Sequence, residues 1–214
     1  MKRSWLCYMV MLGLLSLLPC VTALAQEAKS IGRVTGIEGK VTVLAQGKFA
    51  PELLTLRKPV FREDIIETAR AAKVRITLTD ATIISLGEQS RLELQQFSHE
   101  ARPQTRAGRF AITLGVFRAI LKEMMPQATF EVTTPTAIAA IRGTDLMGEV
   151  RPDSTAIVVL DGTVGVSHIR PGLPEQVMLT AGMGTTVTAD QPPSAPTRWS
   201  ESRVEALRRA TTLR

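Results

Sequence analysis

The chain has 214 residues, of which 44% are hydrophobic, 21% charged and only 4% aromatic, with a formal net charge of +6. That length suits one cored domain, and so few aromatics argue against a basic nucleic-acid surface, where charge is interleaved with stacking side chains. Cys7 and Cys20 are the only cysteines and both lie near the start, so the rest of the chain has no disulfide, thiolate metal site or cysteine nucleophile.

Residues 1–25 have the three parts of a secretory signal peptide: Lys2 and Arg3, an apolar run from Trp5 to Leu18, and Ala23-Leu24-Ala25. Cleavage is expected after Ala25, which places the mature chain in the periplasm or outside the cell. Pro19 and the Ala-x-Ala ending argue against an uncleaved anchor, and Pro19 beside Cys20 does not fit a lipoprotein signal. With Lys2 and Arg3 removed, the excess charge sits mainly in the tail, where Arg198, Arg203, Arg208, Arg209 and Arg214 face Glu201 and Glu205. A second basic stretch runs from Arg102 to Lys122 with no acid between, yet its only aromatics are Phe110 and Phe117. No nucleic-acid partner is expected.

From Gly32 onward apolar and polar residues alternate over short runs, the period-two signature of half-buried strands. Val74, Ile76 and Leu78 form one such set, Leu92 and Leu94 a second, Phe110, Ile112 and Leu114 a third, and Phe130 with Val132 a fourth. Asp161-Gly162 stands between Ile157-Val158-Val159 and Val164-Gly165-Val166 and predicts a hairpin, because both positions tolerate positive φ. Residues 37–40 and 79–82 give weaker versions of the same signal. Three stretches break the alternation: 49–68, the polar and basic loop 98–108, and the proline-rich linker 191–198. An all-β domain is thus expected over residues 26–190, followed by a short basic amphipathic helix within 199–214. Ser202 and Glu205 suggest its capping box, and Val204, Leu207 and Ala210 its apolar face. Docking on its own domain, contact with anionic lipid heads, and fraying are all open to such a tail.

Catalytic and metal-binding patterns are missing from the sequence. His99 and His168 have no acid at a recognisable ligand or catalytic spacing, and there is no H-E-x-x-H or G-x-S-x-G. Residues 36–41 look superficially like a phosphate loop, but Val34 and Val41 stand where a glycine and a hydroxyl are needed. Asp64, Asp80, Asp145, Asp153, Asp161 and Asp190 fall mostly at strand ends and turns, where aspartate serves the backbone. No enzyme, metal or cofactor is expected, with a wall- or polysaccharide-active enzyme as the remote alternative.

The segment from Phe130 to Asp145, FEVTTPTAIAAIRGTD, resembles the central signature of the FecR domain family: a strand, T-P, small apolar residues, then I-R-G-T. Residues 64–68 resemble its D-x-I-x-T segment, 76–90 its leucine-and-serine strand pair, 159–166 its V-L-x-G-x-V-x-V hairpin, and 177–187 its closing strands. The resemblance covers about residues 31–189 and implies a β-solenoid-like stack of short strands and hairpins. It further implies a periplasmic, non-catalytic module that binds an envelope protein, or an envelope polymer, in cell-surface signalling. Family members often join such a region to a cytoplasmic segment that controls a sigma factor, and here only Met1 to Ser4 precede the apolar run. A truncated component relaying to a sensor or sigma-factor regulator is the alternative. Within the signature, Arg142, Gly143 and Thr144 are the candidate binding residues. Arg142 either braces carbonyls at the turn or faces a ligand. Partner binding is expected along an open strand edge at residues 185–188 or on a sheet face.

Overall fold

The structure, a computed structural model, describes residues 29–99, 106–121, 128–173 and 176–214. The leader expected over 1–25 lies outside the described residues, as does the centre of the loop expected over 98–108. The described chain forms β1 (Gly32–Glu38), β2 (Val41–Leu44), β3 (Glu52–Leu53), β4 (Pro59–Val60), β5 (Ile65–Thr68), β6 (Lys73–Leu78), β7 (Ile83–Leu86) and β8 (Arg91–His99). It continues through β9 (Arg106–Ile120), β10 (Ala128–Thr133), β11 (Ala137–Val150), β12 (Ser154–His168), β13 (Val177–Thr180), β14 (Met183–Thr188) and β15 (Thr197–Arg198) to one helix, α1 (Glu201–Thr211). The fold is all-β with a short C-terminal helix. No helix among the described residues is long and apolar enough to cross a membrane.

The alternating sets read from the sequence become half-buried strands. In β6 the pattern is strict, with Val74, Ile76 and Leu78 buried and the intervening residues partly exposed. The pairing follows from strands that change partners half-way along. The first half of β9 lies between β8 and β10, and its second half between β7 and β11. β11 pairs with β10 and then β9, while the two halves of β12 pair with β14 and β13. Two facing layers result. One runs β3-β2-β5-β8-β9-β10-β11-β12-β13 and the other β4-β1-β6-β7-β9-β11-β12-β14-β15, with the long strands bending from one layer into the other. A single apolar cluster from Ile31 to Val187 fills the space between them.

This path corrects two turn predictions. Residues 37–40 do not close a hairpin: β1 pairs with β4 and β6, β2 with β3 and β5, and Gly39 at φ +69° turns the chain from one layer to the other. Asp161-Gly162 is likewise a corner inside β12. A hairpin and a layer change ask the same thing of the backbone, a residue comfortable at positive φ, so sequence cannot tell them apart. Residues 79–82 do close the β6–β7 hairpin. Among the described strand pairs only β9–β10 is parallel, and the pairing does not confirm a solenoid. The polar loop is shorter than expected, because β8 runs to His99 and β9 starts at Arg106.

The tail docks. Ser200, not Ser202, caps α1, its side chain accepting from the Arg203 amide at 3.4 Å. Trp199 and Leu207 pack with Met147, Ala156 and Val158 on the outer face of the second layer. A Cβ on Gly184 would lie 2.4 Å from the Trp199 indole, so glycine there makes the seat. The Arg203 guanidinium lies 3.5 Å over the indole centroid. At the other end Lys73 Nζ donates to the carbonyls of Arg209 (2.8 Å) and Thr212 (2.7 Å), satisfying acceptors a helix terminus leaves open. Trp199→Ala is expected to cost about 2–3 kcal/mol by loss of burial and stacking, read from the midpoint of urea unfolding.

Candidate functional site

The signature Ile141-Arg142-Gly143-Thr144-Asp145 is the bend of β11, where the register with β12 shifts between Arg142 and Asp145. Each residue has a separate task. Ile141 is buried in the core and Arg142 points outward. Gly143 adopts φ +55°, the left-handed conformation that lets the strand turn. Thr144 is 2% exposed, its hydroxyl within 3.1 Å of the carbonyls of Arg142 and Thr163. Its backbone pairs in both directions with Leu121, at 3.1 and 2.9 Å. Asp145 receives Nε and Nη2 of Arg118 at 2.9 and 2.7 Å, a bidentate, largely shielded pair. The Asp145 hydrogen bond holds the Arg118 guanidinium above its ordinary pKa, against the opposing effect of burial.

The neighbouring bend of β12 interlocks with this one. Gly162 has φ +86°, and a Cβ there would come within 2.4 Å of the Gly143 carbonyl. Two glycine corners therefore lie against each other, and the outer surface above them is low. Arg142, Gly143, Gly162 and Thr163 form one side of an open groove of about 490 Å³, with Gln176 and Met178 on the other. Arg142 and Gly143 thus line a surface, whereas Thr144 lies beneath it and acts on the backbone.

The remaining motif residues are structural too. The Thr134, Thr136 and Thr155 hydroxyls, all buried, form a chain at 2.8 Å spacings that reaches the Val187 carbonyl. The first two belong to the T-P segment; Thr155 carried no sequence signal. Thr68 donates to the Gly87 carbonyl at 2.6 Å and accepts from the Ser90 amide at 2.8 Å. Residues 64–165 match the family model described as FecR protein.

Residues 64–165 are a FecR domain.

Two crystal structures of a candidate anti-sigma factor from Parabacteroides distasonis share the fold, at TM-scores of 0.52 and 0.53 and identities of 16% and 15%. The match covers 66% of this chain and, respectively, 63% and 62% of the other chain, so it spans less than two thirds of that protein. No curated protein matches the chain.

Asp64 opens the FecR domain and staples the turn before β5, where its Oδ2 accepts from the Phe61 amide at 2.8 Å. Its Oδ1 is buried without a hydrogen-bond partner. Burial raises the carboxyl pKa; the amides of Phe61 and Gln46 oppose the rise, though only the Phe61 contact has hydrogen-bond geometry. An acid whose folded pKa is raised stabilises the fold while protonated, and that contribution is lost as pH rises through the folded pKa. Asp64→Asn is therefore expected to gain stability relative to the parent as pH climbs from about 4 towards neutrality, measured as urea midpoints of both proteins across that range.

His168, at the end of β12, is buried. It is 5% exposed, with Nε2 at 3.0 and 3.2 Å from the carbonyls of Thr188 and Ala189 and Nδ1 accepting from the Arg170 amide at 2.9 Å. That pattern fits a neutral ring tying the end of β12 to the end of β14. His99 closes β8, its backbone paired with Arg106. Asp80 caps its own turn through Thr82, at 2.9 and 2.8 Å, as expected of turn aspartates. Asp145 departs from that expectation, being an ion-pair partner within a strand. Among the described residues no group of His, Cys, Asp and Glu is arranged to hold a metal.

The strand edge expected to bind at 185–188 is occupied by the chain's own linker. The Ser194 amide donates to the Thr186 carbonyl at 3.0 Å, Thr186 N–H to Ser194 Oγ at 3.1 Å, and β15 pairs with Met183 and Gly184. Proline-rich chain does here what an edge cover does elsewhere in β-proteins. At the same side of the sandwich β13 pairs with β12 alone among the described strands, and its Met178 is 56% exposed beside the groove.

Proposed function

We propose that this chain is an exported, non-catalytic envelope-signalling module that binds a partner protein at the β13 edge and the adjoining groove, which the FecR domain borders. The supporting observation is the groove itself. The family signature builds its floor from two interlocked glycine corners and leaves Arg142 at its side, next to a strand paired on one side only. An extended partner segment adding to β13 would satisfy that strand's backbone and bring its side chains against Met178 and Arg142. The leader over 1–25 supports export with cleavage after Ala25, and the anti-sigma-factor likeness of the fold accords with a regulatory role.

The test compares affinity capture of the tagged protein and its Arg142→Glu/Met178→Glu variant from crosslinked cell envelopes, with mass spectrometry of what is retained. Both side chains lie at the surface, so the variant keeps the fold. One envelope protein retained by the parent and lost by the variant is the expected outcome. Equal capture by both would overturn the assigned surface, and wall polymer alone would favour a polymer-binding role.

A further inference from the structure

A second surface lies at the opposite edge of the sandwich, around β3. Phe49, Leu53 and Leu56 are 104%, 62% and 52% exposed, three of the five exposed large hydrophobics among the described residues, and all fall within eight positions. The loop carrying Phe49 stands clear of the domain: Gly47, at φ +72°, has no neighbour within 4 Å of where a Cβ would be. Its base is nevertheless fixed, by the Gln46 amide on the Glu63 carboxylate and the Lys48 N–H on the Ala45 carbonyl at 3.0 Å. The next loop turns at Arg57, a non-glycine residue held at φ +68°, just after the exposed Leu56.

The charge around these side chains is predominantly positive. Lys48, Arg57, Lys58 and Arg62 stand among residues 46–63 against two acids, Glu52 and Glu63, and the Glu63 carboxylate is taken by the Gln46 amide. Glu52 is engaged by Lys58 at 3.0 Å, and no ion pair is formed by Lys48, Arg57 or Arg62 among the described residues. The hydrogen bond and charge of Lys58, and to a lesser extent the charge of Lys48, hold the Glu52 carboxyl below its ordinary pKa. Val60, which pairs with Gly32, and Ile65, which pairs with Leu44, are only five positions apart, so the chain enters the domain at the same end as the Phe49 loop.

We infer that this edge is a docking surface for an anionic lipid bilayer, with Phe49, Leu53 and Leu56 entering the interface and the surrounding cations meeting lipid phosphates. A partner protein would be expected to find apolar side chains seated in a packed patch with both signs of charge at its rim. An aromatic on a projecting, basic loop with nothing beneath it suits the headgroup region instead, where rings and leucines insert a few ångströms and lysine and arginine stay with the phosphates. This contact is distinct from the lipid contact considered for the tail, whose apolar face is taken by the sheet.

The test uses vesicles of phosphatidylethanolamine with phosphatidylglycerol, and of phosphatidylcholine alone, with protein recovered from the producing cell so that all variants share one processed form. Tryptophan is placed at the surface by Phe49→Trp and, on the far edge, by Met178→Trp. Brominated anionic vesicles are expected to quench and blue-shift the first and leave the second unchanged. Lys48→Gln and Arg57→Gln should each weaken association with anionic vesicles by about fivefold, and Phe49→Ser/Leu53→Ser/Leu56→Ser by on the order of tenfold or more. Equal quenching at both positions, none at either, or binding indifferent to these substitutions would overturn the proposal. So would a protein crosslink at position 49 in cells together with silence towards vesicles. Apart from the Met178→Trp reporter, these changes leave the partner site untouched, so the two surfaces stand or fall separately.

Discussion

Gly162→Val is expected to lose about 4 kcal/mol or more and to leave little folded protein. Two costs add at that position. A β-branched residue at φ +86° is strained by its own backbone, and its Cβ would be driven to 2.4 Å from the Gly143 carbonyl and 2.9 Å from Thr144 Oγ1. Neither neighbour can retreat, because Thr144 is bonded on its hydroxyl, amide and carbonyl. Gly47→Val separates the two terms: φ is +72° there too, but nothing stands within 4 Å. That variant should lose only the backbone term, about 1–2 kcal/mol. Urea unfolding of both proteins reads the difference, and similar losses would mean that the interlock at the signature is not what makes its glycines necessary.

Asp145→Ala should be the second most damaging change, at about 2–3 kcal/mol, a range discounted from fully buried pairs because both side chains keep some solvent contact. It leaves the Arg118 guanidinium shielded beside β7 and β11 with its bidentate acceptor gone. Arg118→Met/Asp145→Leu together should cost less than Asp145→Ala alone, since no uncompensated charge remains. A double-mutant cycle with a coupling near zero would contradict the pair's role in holding the bend.

These two sites show what sequence patterning resolves. Period-two alternation located the strands well because burial on one face of a strand is a local property: Val74, Ile76 and Leu78 are buried whichever strand lies beside them. Partner choice is not local. Gly39 and Gly162 read as hairpin tips, yet each carries the chain between layers, and only long-range pairing distinguishes the outcomes. The tail's apolar positions were visible in Leu207 and Val204, but its cap moved to Ser200 because Trp199 must sit against Gly184. The open edge was sought at residues 185–188, where the strand is clear in sequence; its cover, Ser194 to Arg198, comes from a linker with no strand pattern.

The candidate site was legible in part. The motif pointed to Arg142, Gly143 and Thr144, and the structure divides them: the first two border the groove, the third braces the backbone. Asp145 stood at the end of the quoted motif, but its partner Arg118 lies 27 positions away and carried no signal. Gln176 and Met178 were equally silent, since a groove is a juxtaposition of strands rather than a run of residues. Asp64 and Thr68 were recognised as motif residues, and their work on a turn and on the Gly87 and Ser90 backbone emerged only with the fold.

The central claim, that a partner protein engages the β13 edge beside Arg142, is tested most directly by a photo-crosslinking residue placed at Met178 in the producing cell, with Leu114, exposed elsewhere on the same layer, as the reference position. A single protein adduct formed from position 178, absent from 114 and lost on Arg142→Glu, is the predicted result. No adduct from 178, or the same adduct from both positions, would contradict it.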